Sequence, residues 1–283
     1  MKNIIVVTNP KKDKDLRVTS LLVDKLLSLG MTVYAEEGKT PHIEGTVSFS
    51  ELPQEAELIV VVGGDGSVID ASVLAIRLDI PLIGVNLGKV GYLTEVDPSN
   101  LDVFDALVNG NYTVERKLLL SAEKLDEAGN LLFAERLAVN DVVISHDSYL
   151  GIADFRVETQ KGDSLRYRAD GLVLSTPAGS TAYSLSAGGP VVSQALDSII
   201  MTPVCPHSLF NRSIIFSPYE SITVFSTTET SLNVSVDGRL FTCLGYGDRC
   251  IVKASPEKFK MLTFSENSTF KALFKKLKVW EDR

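Results

Sequence analysis

The sequence predicts an α/β N-terminal domain, Rossmann-like with a mostly parallel sheet, followed by a β-rich C-terminal domain. Strand and helix patterns alternate along residues 1–111, which is typical of βαβ units. From residue 112 onward the helical period gives way to short apolar runs separated by turn signals. With 283 residues, 45% hydrophobic and 23% charged, the chain is long enough for two modest globular domains.

Two kinds of apolar pattern predict the helices and strands of the N-terminal domain, residues 1–111. Short apolar runs predict strands, and apolar residues at three- and four-residue spacing predict helices. The predicted strands are Ile4–Val7, Thr32–Ala35, Leu58–Val62 and Pro81–Val85, and the predicted helices are Asp15–Leu29, Ser67–Leu78 and Asn100–Val108. Gly30 and Gly110 follow the first and the last of these helices, where glycine commonly ends a helix.

The C-terminal domain, residues 112–265, reads as a succession of strands rich in β-branched residues. The predicted strands are Val114–Leu125, Leu132–Ala138, Val142–Ser145, Phe155–Thr159, Gly171–Ser175, Ile214–Phe216, Ile222–Phe225, Leu232–Val236 and Cys250–Ala254. Asp237-Gly238 is a typical two-residue hairpin turn. Apolar spacing over Thr269–Trp280 predicts a helix within residues 266–283, which we expect to pack back on the first domain.

Composition excludes several classes of protein. The net charge of −8 argues against a general nucleic-acid-binding surface. The three cysteines, Cys205, Cys243 and Cys250, have no metal-ligand spacing and favour a reducing compartment without a disulfide framework. The first residues predict a strand and not a signal peptide, and no stretch approaches the roughly 20 apolar residues of a membrane span. We therefore expect a cytoplasmic protein with no membrane partner.

The run Leu58-Ile-Val-Val-Val-Gly63-Gly64-Asp65-Gly66 carries the strongest chemical signal. A buried parallel strand would deliver Asp65 to its carboxyl end, beside the N-terminus of the next helix, where α/β sheets bind ligands. Backbone N–H groups of Gly63, Gly64 and Gly66 can approach the phosphates of a donor there. The alternative is a turn that needs positive φ, with Asp65 only capping the helix. The chain contains no P-loop motif and no spaced Gly-x-Gly-x-x-Gly.

A second candidate binding segment lies at Arg168–Pro190. The predicted strand Gly171–Ser175 leads into a stretch of small and hydroxylic residues that contains an acid and an aromatic ring. Hydroxyl groups and backbone donors of this kind suit the recognition of sugar hydroxyls and phosphates. The alternative is a loop of small residues that crosses a packed interface. The length and chemical variety of the segment favour the binding interpretation.

In these motifs the chain resembles the NAD kinase family over nearly its whole length. The motifs that carry the resemblance occur in the family's order, at Gly63–Gly66, Gly88–Leu93, Asn140-Asp141, Arg168–Pro190, Pro206–Arg212 and Ser235–Gly238. The resemblance implies a two-domain NAD kinase fold and an enzyme that phosphorylates the 2′-hydroxyl of the adenosine ribose of NAD, giving NADP.

The resemblance also implies roles for single residues. Asp65 matches the catalytic aspartate, and Gly63, Gly64 and Gly66 would hold the phosphates of the donor. The residues that would bind NAD are Gly66, Tyr92, Asn140, Asp141, Arg168, Asp170, Thr181, Ala182, Tyr183 and Ser186. Three positions depart from the family's pattern, because Asp141 replaces a glutamate, Ala169 replaces a glycine, and Leu93 stands where some members carry a second aromatic residue.

A ribose hydroxyl is a poor nucleophile near neutral pH, so a carboxylate that accepts its proton suits this reaction. The resemblance implies ATP, or polyphosphate, as phosphoryl donor and Mg²⁺ or another divalent cation as cofactor. No protein side chain is assigned as a metal ligand. The family also implies a homodimer or homotetramer, with pockets partly completed by a neighbouring subunit. The choice between NAD and NADH, and feedback by NADP or NADPH, stay open.

Two other functions fit parts of the sequence. Lipid kinases resemble NAD kinases around the Gly-Gly-Asp-Gly turn, but Asn140-Asp141 and the Arg168–Pro190 segment favour a dinucleotide acceptor, and no amphipathic membrane stretch is evident. A module that senses NAD or NADP without turnover would keep the pocket and lose the carboxylate. The presence of Asp65 favours the enzyme.

Overall fold

The computed structural model forms two compact units. The first contains residues 1–116 and the segment that begins at Phe259, and the second contains residues 117–258. The residues that the structure describes are 1–38, 43–88, 91–146, 152–207, 211–227 and 231–264. The helix predicted within residues 266–283 lies outside them. Within the described part, no helix is long and apolar enough to cross a membrane.

The first unit is built on a parallel sheet. Its strands are β1 (Asn3–Thr8), β2 (Thr32–Glu36), β3 (Val47–Phe49), β4 (Leu58–Gly63) and β5 (Leu82–Asn86). They pair in the order β3-β2-β1-β4-β5, and each of these pairs is parallel. The chain proceeds outward from β1 in one direction and from β4 in the other, so the switch point of the sheet lies between these two strands.

Helices cover this sheet because their apolar residues recur on one face. The helices are α1 (Arg17–Ser28), α2 (Asp65–Leu78) and the short α3 (Ala106–Asn109), with single 3₁₀ turns at Lys14–Leu16 and Leu101–Asp105. Leu22 and Leu26 of α1 are fully buried in one core with Ile4 and Val60 of the sheet. All six residues of β4 are buried, as expected for a central parallel strand.

Antiparallel strands form the second unit, and the first and last of them extend into the first unit. They are β6 (Thr113–Leu125), β7 (Leu131–Ala138), β8 (Asp141–His146), β9 (Ala153–Thr159), β10 (Ser164–Ala169), β11 (Gly171–Ser175), β12 (Ile199–Val204), β13 (Ile214–Phe216), β14 (Ser221–Ser226), β15 (Leu232–Val236), β16 (Arg239–Leu244) and β17 (Arg249–Thr263). One sheet has the order β13-β12-β11-β8-β15-β16, and β10-β9-β14-β17 pair in that order, with β6 joining β17 to β7. The predicted α/β and β-rich architecture is confirmed.

Inward-facing residues of both sets of strands form the core of the second unit. Ile144 of β8 and Leu172 of β11 pack in the same cluster as Phe155 of β9 and Val224 of β14. Alternate burial along β14 and β15 shows one face packed inward and the other turned outward. Of the residues predicted to bind the dinucleotide, Asp141 begins β8, and Thr181, Ala182, Tyr183 and Ser186 follow β11.

Candidate active site

The carboxyl edge of the parallel sheet brings three strand ends together. Asn9, just after β1, donates its backbone N–H to Val62 O (2.9 Å), and its side-chain Nδ2 donates to Ser67 Oγ (3.0 Å) at the start of α2. Leu87, just after β5, donates its N–H to Gly63 O (2.6 Å). The Gly-Gly-Asp-Gly turn therefore lies at the switch point, with fixed neighbours on both sides.

The glycines of this turn do not adopt left-handed backbone conformations. Gly64 caps α2 in an extended conformation (φ −126°), and neither Gly63 nor Gly66 has positive φ. Asp65 makes no side-chain capping bond to the helix. The alternative of a turn that needs positive φ, with Asp65 as a simple cap, is therefore wrong. The N–H groups of Ser67 and Val68 donate to Gly64 O (2.8 and 3.1 Å), which leaves the N–H groups of Asp65 and Gly66, among the described residues, for an anion at the start of α2.

The carboxylate of Asp65 is bound by the loop that follows β5. Its Oδ2 accepts the N–H of Tyr92 (2.8 Å), and its Oδ1 accepts the N–H groups of Leu93 (3.1 Å) and Thr94 (3.3 Å). The hydroxyl of Thr94 also donates to Oδ1 at 3.4 Å. Three backbone donors on one half-buried carboxylate hold its position and orientation before any substrate arrives.

The two oxygens of Asp65 are not equivalent. A carboxylate oxygen has about two lone-pair sites. Among the described residues, Oδ1 receives its donors from Leu93 and Thr94, whereas Oδ2 receives one, from Tyr92. Oδ2 therefore has a remaining lone pair that can accept a proton. A Cβ atom on Gly91 would lie 2.2 Å from Oδ1, so only glycine allows the loop to approach this closely.

The phenol of Tyr92 interacts electrostatically with the carboxylate of Asp65. Burial, followed by the negative charge of Asp65, raises the pKa of the Tyr92 phenol. The ring is half-buried and its hydroxyl stays protonated at neutral pH. Lys89, in the same motif, lies outside the described residues.

Lys12 is a residue of this edge that sequence analysis missed. Its Nζ lies 2.5 Å from the position of a Cβ on Gly64 and 3.9 Å from that of a Cβ on Gly88. The ammonium group thus lies directly over the glycine turn. Lys12 is 53 positions before Asp65 in the sequence, and an exposed lysine in a polar stretch carries no signal that distinguishes it from a surface residue.

In the second unit, the bend at Val139–Asp141 is held by a single carboxylate. Asp237 accepts the N–H of Val139 through Oδ2 (2.8 Å) and the N–H groups of Asn140 (2.8 Å) and Asp141 (3.1 Å) through Oδ1. Asp237 and Gly238 both have positive φ, so the predicted hairpin turn is confirmed. The turn also positions two predicted NAD-binding residues, a role that the sequence did not predict.

Burial and the neighbouring carboxylate change the acidity of Asp141. Its side chain is buried, and burial first, then the charge of Asp237, raises its pKa to about 7. Burial also raises the pKa of Asp237, against the lowering effect of its three backbone donors. Near neutral pH Asp141 is therefore partly protonated.

The residues after β11 pack against this bend. Thr176 N–H donates to Asn140 O (2.9 Å), and Thr176 Oγ1 donates to Val139 O (2.7 Å). A Cβ on Gly179 would lie 2.0 Å from Asn140 O, so glycine is required for the contact. The 3₁₀ turn Gly179–Thr181 follows directly. This packing places the predicted residues Asn140 and Asp141 beside the start of the Thr181–Ser186 segment.

Four of the predicted residues lie within that segment. Thr181 is buried and donates its hydroxyl to Ala178 O (3.2 Å), whereas Ala182 is half-buried. Tyr183 and Ser186 are the first and last residues of the single turn α4 (Tyr183–Ser186), and both are exposed. The side chains of Asn140 and Tyr183 make no hydrogen bond with the described residues, so both are available to a ligand.

Arg168 and Asp170 lie at the opposite end of β11. Asp170 precedes the strand and Thr176 follows it, which separates them by about 20 Å at roughly 3.3 Å per residue. Asp170 N–H donates to Val204 O (3.0 Å), and Arg168 O accepts the N–H of His207 (2.7 Å). The predicted dinucleotide residues of the second unit therefore form two groups rather than one.

Within the described part of the chain, no group of three or more His, Cys, Asp or Glu side chains is arranged to hold a metal ion. The oxygen donors near the glycine turn are Asp65 and the side-chain carbonyls of Asn9 and Asn86, which already accept N–H groups of Lys11 and Gly88. Such a donor set fits a divalent cation that arrives bound to donor phosphates, because Mg²⁺ usually keeps few protein ligands.

Both halves of the chain match families of known proteins. Residues 4–112 match the ATP-NAD kinase N-terminal domain, and residues 139–264 match the ATP-NAD kinase C-terminal domain. The NAD kinase of Lachnoclostridium phytofermentans is 34% identical over 280 residues, covering 96% of this chain and 98% of that protein. The NAD kinase of Thermoanaerobacter sp. is 35% identical over 282 residues, covering 98% and 99%.

Solved structures of kinases share the fold. Yeast NADH kinase complexed with NADH has a TM-score of 0.85 at 22% identity, over 98% of this chain and 88% of that one. An NAD kinase from Archaeoglobus fulgidus in complex with ATP has a TM-score of 0.70 at 24% identity, over 98% of both chains. At these identities the likeness establishes the arrangement of strands and helices.

The α/β fold, the glycine turn and the fixed carboxylate of Asp65 together define a phosphotransferase. The matches to both domains and to full-length relatives specify which one: the chain belongs to the NAD kinase family. The predicted family, fold class and kinase activity are confirmed.

Proposed function

We propose that the chain transfers the γ-phosphoryl group of ATP to the 2′-hydroxyl of the adenosine ribose of NAD, with Asp65 as general base. The observation that carries the proposal is the carboxylate of Asp65 at the switch point, fixed by the N–H groups of Tyr92, Leu93 and Thr94. Fixed orientation of a base contributes to catalysis because no reorganisation is needed during proton transfer.

Oδ2 of Asp65 accepts the proton of the ribose hydroxyl while the ribose oxygen forms a bond to the γ-phosphorus. The bond from that phosphorus to the bridging oxygen breaks, and ADP leaves with its electron pair. Oδ2 is the oxygen of choice because it accepts a single hydrogen bond from the described residues.

The donor phosphates are proposed to bind at the backbone of Gly63, Gly64 and Gly66, where the start of α2 provides N–H groups and the positive end of its dipole. ATP enters as MgATP, and the cation reduces the negative charge on the β- and γ-phosphates. The side-chain oxygens of Asn9 and Asn86 are nearby protein groups of the right chemistry for a cation bound in this way.

NAD is proposed to bind through the second unit. The side chains of Asn140, Tyr183, Arg168 and Asp170 make no hydrogen bond with the described residues, and such groups suit a polar ligand. The full proposed set is Tyr92, Asn140, Asp141, Arg168, Asp170, Thr181, Ala182, Tyr183 and Ser186 with Gly66. Within the second unit, the separation of Arg168 and Asp170 from Asn140, Asp141 and the Thr181–Ser186 segment favours a homo-oligomer in which they complete the pocket of a neighbouring copy.

We also propose a cytoplasmic location. The three cysteines, Cys205, Cys243 and Cys250, are all free, and free thiols are typical of a reducing compartment.

The test is formation of NADP by the purified chain from NAD and MgATP, followed with an NADP-specific dehydrogenase. We expect turnover well above a blank without enzyme, and none with a diacylglycerol as acceptor. A chain that binds NAD without producing NADP would be a sensing module, and phosphorylation of the lipid instead of NAD would indicate a lipid kinase. Either result contradicts the proposal.

A further inference from the structure

Lys12 occupies an unusual position for an exposed lysine. Its ammonium group lies over the backbone of Gly64, 2.5 Å from where a Cβ atom would be. The position of a Cβ on Gly88 is 3.9 Å from the same ammonium group. Lys12 therefore lies near both the glycine turn after β4 and the loop after β5.

Within the described part of the chain, Lys12 has no acidic partner. Among the described residues, no carboxylate oxygen lies within ion-pair distance of its Nζ, whereas Lys25, Lys124 and Lys253 each have one at 2.8–2.9 Å. The ammonium group has three donors. A polyphosphate chain bound to the N–H groups of the turn would carry the charge and the acceptors that these donors lack.

The loop that carries Lys12 is fixed in place. Asp13, the next residue, is buried and accepts the N–H groups of Val18 (3.1 Å) and Thr19 (2.8 Å) at the start of α1. Lys12 N–H itself donates to Asn9 O at 2.9 Å. The base of the lysine side chain is therefore anchored on the same edge as the glycine turn.

Backbone strain supports a functional interpretation of this loop. Asp15 and Leu16 both have positive φ (57° and 53°), an uncommon conformation for residues other than glycine and more so for two in succession. Such strain persists where the surrounding structure enforces it, and it is concentrated near functional sites. Here it forms the sharp turn by which the chain enters α1 directly after presenting Lys12.

We infer that Lys12 binds the β- and γ-phosphates of the donor and is a determinant of donor affinity. The inference rests on the proposed function, since it takes MgATP as the donor. The lysine supplies the positive charge that the glycine turn lacks, and it holds the phosphates against the N–H groups at the start of α2. Binding of the dinucleotide is independent of it.

The experiment compares Lys12→Met, which removes the charge and keeps the apolar stem, with Lys12→Arg, which keeps the charge. Lys11→Met, at the neighbouring exposed lysine, is the matched control. We expect Lys12→Met to raise the KM for ATP by about tenfold or more, as loss of a charged hydrogen bond does, with the KM for NAD changed less than twofold. Lys12→Arg should recover most of the affinity, and Lys11→Met should resemble the wild type.

Calorimetric titration without NAD separates this inference from the proposed function. MgATP should bind Lys12→Met about tenfold more weakly than the wild type, while AMP, which lacks the β- and γ-phosphates, should bind both equally. These titrations test Lys12 even for a chain that makes no NADP. Unchanged MgATP affinity in Lys12→Met overturns the inference, and so does a rise confined to the KM for NAD, which would assign Lys12 to the dinucleotide. Thermal unfolding checks that each variant is folded.

Discussion

At the scale of single residues, the structure explains why an acid can stand in a phosphate-binding turn. The carboxylate of Asp65 points to the loop Tyr92–Thr94, whose N–H groups offset its charge. The sequence predicted Asp65 as the base from its place after a buried strand. It could not predict the hydrogen bonds, because their donors lie 27–29 positions away and backbone N–H groups have no sequence signal.

Asp237 illustrates a second limit of sequence-based inference. The Asp-Gly pair predicted a hairpin turn correctly, since both residues tolerate positive φ. The same side chain binds the backbone at Val139–Asp141, nearly a hundred positions earlier. Because the hairpin turn alone accounts for Asp237 in the sequence, nothing there predicted its hydrogen bonds to a distant segment.

A pH dependence of stability follows from Asp141. Its pKa rises from 3.8 in the unfolded chain to about 7 in the folded one, because of burial and the charge of Asp237. The folded state therefore binds more protons, so the stability contributed by protonated Asp141 is present below pH 4 and is lost as the pH rises through about 7. Asp237 shifts in the same direction.

We expect Asp141→Asn to reduce the loss of unfolding free energy between pH 5 and pH 8 by about 2–3 kcal/mol, at about 1.4 kcal/mol per pKa unit. Urea unfolding at the two pH values measures the difference. Asp126→Asn is the control, because hydrogen bonds with Asn130 lower the pKa of Asp126 and its contribution stays constant in this range. An equal loss of unfolding free energy between these pH values in Asp141→Asn and in the wild type would contradict the raised pKa of Asp141.

At the scale of elements, apolar patterns predicted the strands that matter for the site. β4 and β11 were predicted to within one residue, because fully buried strands show as continuous apolar runs between glycines and polar residues. The helix predicted from Asp15 begins instead at Arg17, since Asp15 and Leu16 are left-handed. The helix predicted from Ser67 begins at Asp65, which places the carboxylate in its first turn.

Strands with weak patterns were missed. These are β3, β10, β12 and β16, and the last predicted strand, Cys250–Ala254, extends over Arg249–Thr263. β12 contains Pro203, which argues against a central strand. The structure accommodates it because β13 pairs only with Ile199–Met201, so Pro203 has a neighbouring strand on one side only. Hydrogen bonding to neighbouring strands, rather than the β-propensity of their residues, defines these strands.

At the scale of the whole molecule, the change from βαβ rhythm to successive strands predicted two structural units. The structure divides the chain after residue 116 and returns it to the first unit at Phe259. The sequence predicted a return only for the helix within residues 266–283. The earlier crossing at Phe259 had no sequence signal, because β17 is one continuous strand whose first part pairs with β14 and whose Met261 pairs with Leu82. No change of composition marks the place where the chain passes from one unit to the other.

The proposed homo-oligomer is a prediction about the complete chain. Within the part of the chain that the structure describes, strand β7 pairs with β6 alone, and its first six residues, including Leu131, Leu132 and Phe133, are exposed. A long exposed apolar edge is uncommon in monomers. We expect light scattering of the purified protein to give a mass of two or four chains of 30.8 kDa. A mass of one chain at micromolar concentration would contradict the oligomer.

The rate of NADP formation by Asp65→Asn tests the central claim, that Asp65 is the base of an NAD kinase, most directly. Asparagine preserves the size and cannot accept the proton at the position of Oδ2. We expect turnover to fall by at least 10²-fold, as typical for loss of a general base, with NAD affinity within about fivefold. Thr94→Val, which removes one side-chain donor to Asp65, controls for the surroundings and should stay within about threefold of the wild type. Near-normal turnover by folded Asp65→Asn would contradict the assignment.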